Sequence, residues 1–178
     1  RRSPLRAPAG QDYTNIILTS VAVLLTGAMA WFSWYHRRIN GAIHMVILSL
    51  LGVIWGLIYL LRLLVASSSL AYILDNLQFI PAVFIAPVYF IMVMVFIGRS
   101  DSVRKPAWLL LYLVPILSIA VIATNNYHFL LNQPQQTGGD AFQPRYNAWF
   151  WVIIGYSILL VLSSLVTLVI TYIRMPRW

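Results

Sequence analysis

Three histidines, His36, His44 and His128, are the side chains in this sequence best suited to chemistry near neutral pH. Imidazole moves protons and ligates haem iron or chlorin magnesium. Two ligands on one helix face stand three or four residues apart, and no two of these histidines do. The four acidic residues are all aspartates scattered along the chain, and cysteine is absent. Paired carboxylates, thiolate metal sites, disulfides and a cysteine nucleophile are therefore excluded. No Ser/His/Asp order, glycine-rich phosphate loop or His-Glu-x-x-His pattern occurs. Neither a catalytic residue nor a metal site is expected. His128 has the most informative surroundings, in the stretch Thr124–Leu131, TNNYHFLL. It marks the outer end of a helix that Thr124 and Asn125 terminate, or it meets a ligand or partner together with Asn125, Tyr127 and Trp149.

The elements that position these residues follow from composition. The chain has 178 residues, 61% of them hydrophobic and 9% charged, with mean hydropathy +0.81. Soluble domains carry about a quarter charged residues, so this is an integral membrane protein. A helix needs about 20 apolar residues to cross the hydrocarbon. Five runs qualify, at residues 15–35, 43–65, 77–98, 107–124 and 148–173. None alternates as a barrel strand does. The expected fold is an all-α bundle of five transmembrane helices. A polar tail, 1–14, precedes it, and a loop rich in structure breakers, 125–147, joins the last two spans.

The net charge of +8 is divided among short clusters between apolar runs, which fits headgroup contacts and topology signals rather than nucleic acid. Arg37, Arg38, Arg99, Arg104, Lys105, Arg174 and Arg177 fall on one side of five alternating spans. The positive-inside tendency places that side in the cytoplasm, the N-terminus and the 125–147 loop outside, and the C-terminus inside. Trp31, Trp34, Tyr35, Trp108, Tyr146, Trp149, Phe150 and Trp151 cluster at span ends, as interfacial aromatics do; the alternative is a quinone- or pigment-stacking surface.

Within the spans, Gly52 and Gly56 form a small-xxx-small step that lets another backbone approach, from this chain or from another subunit. Ser163, Thr167 and Thr171 make a polar seam at helical spacing. Pro87 and Pro115 lie inside the third and fourth spans, where each frees a carbonyl and tends to kink its helix, as a fixed bend or as a hinge. Arg62 is the strong charge within a span, which is costly. It snorkels to headgroups, pairs with Asp75 across the short outer turn SSSLAYILDN, or meets an anionic ligand.

From the third span onward the order of features resembles a known family. A span with Pro87 and the Phe96–Gly98 end is followed by a basic turn. A span with Pro115 then ends in Thr124-Asn125-x-x-His128, and a polar loop leads to a span carrying Tyr156. This resembles the N-terminal seven-helix membrane region ahead of bacterial histidine kinases and diguanylate cyclases, over about residues 15–178. The resemblance implies a sensory module in the bacterial inner membrane, not itself catalytic, with an outside N-terminus and an output domain following two further spans. The alternative is an accessory subunit of a photosynthetic or respiratory complex that packs against partner helices, lipid, quinone or pigment. A transporter ranks third, for want of intramembrane polar residues and an internal repeat. No cofactor is required by the sequence.

Overall fold

The computed structural model describes residues 9–65, 68–99, 106–136 and 142–174. The start of the tail and the basic residues Arg104, Lys105 and Arg177 lie outside the described residues. Among the described residues five helices are long and apolar enough to span a bilayer: α1 (Ala9–Tyr35), α2 (Ala42–Leu64), α3 (Ser68–Phe96), α4 (Leu113–His128) with the 3₁₀ helix Pro106–Tyr112 before it, and α5 (Ala148–Arg174). The chain is an all-α membrane bundle with one small exception.

That exception lies in the 125–147 segment. Its first four residues complete α4, and β1 (Asn132–Gln136) and β2 (Phe142–Tyr146) then form an antiparallel hairpin. Prolines hid this pairing from a reading of composition. Pro134 and Pro144 are direct partners in the ribbon. Antiparallel pairs alternate between hydrogen-bonded and open sites, and two residues without amide donors fit together only at an open one.

The helices follow the apolar runs, with three differences. The segment SSSLAYILDN is largely the first turns of α3 rather than a turn between helices; serine suits a helix start as well as a loop. Thr124 and Asn125 lie within α4 and do not end it. The helix runs to His128 and stops where Phe129 takes a left-handed backbone, φ 51°, its amide donating to the Asn125 carbonyl at 2.8 Å. Pro115 is the third residue of α4, just past the 3₁₀ segment, and not mid-helix. Its missing donor falls in a first turn that tolerates proline. α3 holds two internal prolines, Pro81 as well as Pro87.

α3 is the centre of the bundle. Buried residues make up 44% of its spanning window, against 11–22% for the other four. α2 lies between α1 and α3, while α4, α5 and β2 pack on α3 from the other side. Gly52 and Gly56 face α1: a Cβ at Gly56 would stand 2.5 Å from Val23 Cγ2, and one at Gly52 would stand 3.2 Å from Thr26 Cγ2. The main apolar cluster joins Val83 of α3, Ile122 of α4, Leu131 of the loop and Ile153 of α5. It sits directly beneath the hairpin.

Candidate functional site

The hairpin end of the bundle gathers most of the polar structure. Asn125, 1% exposed, points its side chain into the loop that follows its own helix. Its Oδ1 accepts the Leu131 amide at 3.0 Å. Its Nδ2 lies 2.8 Å from three acceptors, the Tyr72 hydroxyl of α3 and both the carbonyl and Oδ1 of Asn132. One buried amide thus ties α4, α3 and the base of the hairpin together. Satisfied polar groups in a dry interior are rigid, because any escape leaves an unpaired group in low dielectric. The Asn132 Nδ2, also buried, has no hydrogen-bond partner among the described residues.

The start of α5 closes the same knot. Asn147 donates through Nδ2 to the Phe129 carbonyl at 2.6 Å and through its backbone to Leu131 at 2.9 Å, and the Trp149 amide donates to Leu130 at 3.0 Å. A helix start carries unpaired amides, and here carbonyls of the α4–β1 connection take them. Below this, the Trp149 indole donates to Ser118 Oγ of α4 at 3.1 Å. Trp149 therefore has its polar edge engaged inside the bundle.

His128 caps the end of α4. Its Nδ1 accepts the Leu130 amide at 3.0 Å, and its Nε2 lies 2.9 Å from Thr124 Oγ1. The Thr124 hydroxyl gives its one hydrogen to the Ala120 carbonyl at 2.7 Å. Nε2 must therefore carry the ring hydrogen and donate to Thr124, and Nδ1 must be bare. This network holds the neutral Nε2–H tautomer. Tyr127 beside it is 88% exposed.

Arg62 Nε and Asp75 Oδ1 are 3.0 Å apart, joining the end of α2 to α3. Tyr146 of β2 stacks on Phe150 at 4.2 Å, and Phe79 of α3 meets both rings edge-on. Burial pushes the Tyr146 phenol above its ordinary range; the Asp75 carboxylate adds to this, and Arg62 partly offsets it.

Further down, Tyr156 of α5 donates its hydroxyl to the Leu111 carbonyl of the 3₁₀ segment. The polar seam expected at Ser163 and Thr167 returns into its own helix, Thr167 Oγ1 bonding the Ser163 carbonyl at 2.7 Å, with Thr171 half-buried beyond it. The fully buried hydroxyl is the neighbouring Ser164, one residue off the seam. Among the described residues no group of three histidines or acids could hold a metal. Single-sequence reasoning missed Tyr72, Asn132 and Ser118. Tyr72 and Ser118 are ordinary polar residues whose partners lie 53 and 31 positions away, and Asn132 meets Asn125 only through the fold of the loop between them.

At the opposite end, Arg37 and Arg38 of the α1–α2 turn, Arg99 after α3 and Arg174 of α5 are all exposed. Arg37 lies over the Trp34 ring, 4.8 Å from its centre. The two ends thus differ in kind: a hydrogen-bonded hairpin platform at one, exposed guanidinium groups at the other.

No curated protein and no solved structure matches the chain significantly. A family model described as the N-terminal 7TM region of histidine kinase matches residues 18–178. That span takes in α1 from Leu18 onward, the whole of α2 to α5, the hairpin and the Asn125 knot, so the chain belongs to the family of histidine kinase N-terminal seven-transmembrane regions.

Proposed function

We propose that this chain is the membrane-embedded sensory module of a bacterial histidine kinase, itself non-catalytic, that reads its stimulus at the hairpin end and relays it toward a cytoplasmic output domain. The family match over residues 18–178 carries this reading. Tyr127 and His128, exposed at the rim, supply the contact to ligand or partner. Asn125 and Trp149 carry it inward, since the first is bonded to α3 and the hairpin and the second to α4. Displacement of the hairpin then loads α3 through Tyr72. Pro81 and Pro87 lie between that point and the far end of the helix. The exposed arginines of the other end support a hairpin end outside and a basic end in the cytoplasm.

The test uses the full-length kinase in its host membrane, with autophosphorylation as readout. Single substitutions Tyr127→Ala and His128→Ala are expected to change the response to stimulus, while Leu110→Ala on the exposed 3₁₀ face serves as the control. Wild-type signalling by both rim variants would remove the rim from the reading. Reaction of a cysteine placed at Tyr127 with an impermeant thiol reagent from the cytoplasmic side alone would reverse the orientation.

A further inference from the structure

A second feature of the hairpin end stands apart from the His128 rim. A cavity of about 220 Å³ opens between α2, α3, β2 and the start of α5. Its wall is built from Trp55, Phe79, Tyr146 and Phe150, with Asp75 and Gln78 as the polar groups. Arg62, although bonded to Asp75, is not among the residues that line it. Asp75 therefore lines the cavity and its cationic partner does not.

The rings are held rather than loose. Tyr146 and Phe150 stack at 4.2 Å with 17° between planes, and Phe79 stands edge-on to both at about 6 Å. Trp55 enters from α2, stacked on Tyr59 at 6.0 Å. Aromatic faces carry negative quadrupole charge and attract cations. The sign of the local field agrees. At the Tyr146 hydroxyl the Asp75 carboxylate acts more strongly than Arg62 does. Among the described residues no lysine or arginine lines the cavity to receive an anion. The volume lies below the roughly 300 Å³ at which drug-sized sites begin, so it suits a headgroup-sized ion. We infer that this cleft binds an organic cation, an alkylammonium or trimethylammonium group seated against the four rings and Asp75. The cation comes either free from outside or as the headgroup of a phospholipid. This inference is independent of whether the chain signals.

The experiment uses the purified chain in nanodiscs. One arm takes discs of phosphatidylglycerol, which offers no cationic headgroup, and titrates radiolabelled choline and ethanolamine. The other mixes phosphatidylcholine or phosphatidylethanolamine with phosphatidylglycerol and identifies retained lipids by native mass spectrometry. Saturable binding in the first arm identifies a free cation; selective retention in the second identifies a headgroup. In either arm Trp55→Leu is expected to weaken binding at least about tenfold, the scale of a desolvated cation–π contact. Asp75→Asn is expected to do the same. Because that change also strips Arg62 of its partner, Trp55→Leu, at an exposed position, is the decisive variant, with thermal unfolding confirming its fold. The inference is overturned by failure of both arms, by binding indifferent to Trp55→Leu, or by equal competition from the uncharged isostere 3,3-dimethylbutan-1-ol.

Discussion

Tyr156 gives its hydroxyl hydrogen to the carbonyl of Leu111, four residues before Pro115. Leu111 lies in the 3₁₀ segment and α4 starts at Leu113; an α-helix continued back to Leu111 would need the amide of residue 115 for that carbonyl, and proline has none. Hydrocarbon supplies no water to take its place. A phenol from the neighbouring helix does so, and the proline and the tyrosine form one structural unit across two spans.

Tyr156→Phe is accordingly expected to lower stability in detergent by about 1–2 kcal/mol, the cost of a stranded carbonyl in a membrane protein. Pro115→Ala restores a backbone donor. The double variant should lose less than the two single changes summed, as coupled residues do. Strict additivity in thermal or denaturant unfolding would show that the two do not serve the same carbonyl.

Asn125→Ala removes the acceptor of the Leu131 amide and the donor to Asn132 and Tyr72. Leu131 and Asn132 are 0% exposed, so water cannot replace what is lost. The expected cost is about 2–4 kcal/mol. Amide hydrogen exchange at Leu131 should accelerate far more than exchange in α1. Uniform acceleration across the bundle would mean that the residue does not act locally.

His128 must accept at Nδ1 to hold the Leu130 amide. Nitrogen-detected NMR of the neutral ring should therefore show the Nε2–H tautomer. Leu130 amide exchange should accelerate in His128→Ala, which takes away its acceptor. The Nδ1–H tautomer in the neutral ring would refute the assignment.

Tyr146 holds its proton more tightly in the folded chain than an exposed phenol does. Its contribution to stability is present in full below about pH 10, the ordinary phenol value. It is lost as the pH rises through the raised folded value, because the unfolded chain ionises first. Difference absorbance between wild type and Tyr146→Phe should place the phenolate above the ordinary range. Asp75→Asn should bring it part of the way back. A phenolate appearing at or below the ordinary value would contradict the burial and the field described.

Gly56→Ala sets a methyl 2.5 Å from Val23 Cγ2. Valine is stiff in a helix, so α1 and α2 must part. A loss of about 1–3 kcal/mol is expected. Val23→Ala should recover part of it. Gly52→Ala, facing Thr26 Cγ2 at 3.2 Å, should cost less. Equal penalties at the two glycines would show that their contacts with α1 are not what sets the cost.

Much of this architecture was legible because one term dominates it. Twenty apolar residues in succession have few places to go but across a bilayer, and the spans at α1, α2 and α5 lie within a few residues of their apolar runs. The ends of α3 and α4 were harder. Serine and asparagine serve helix starts, caps and turns alike, so SSSLAYILDN read as a turn and Thr124-Asn125 as a stop. The hairpin was hidden by its own prolines. The Asn125 knot was out of reach for a different reason: Tyr72 lies 53 positions away, and no local pattern announces which of many polar residues will meet in a dry interior. Family resemblance pointed to Asn125 and Tyr156 without saying what either one touches.

α3 has 29 residues, a rod about 40 Å long at 1.5 Å per residue, and α2, α4, α5 and β2 all rest on it. It works as a shared axle, so damage at one end need not be repaired at that end. Compensating changes for a rim defect should collect along the far half of this helix, around Tyr89 and Met92. α1, which leans on α2, should yield few. The genetics of this protein is thus expected to follow the axle and not the distance between residues.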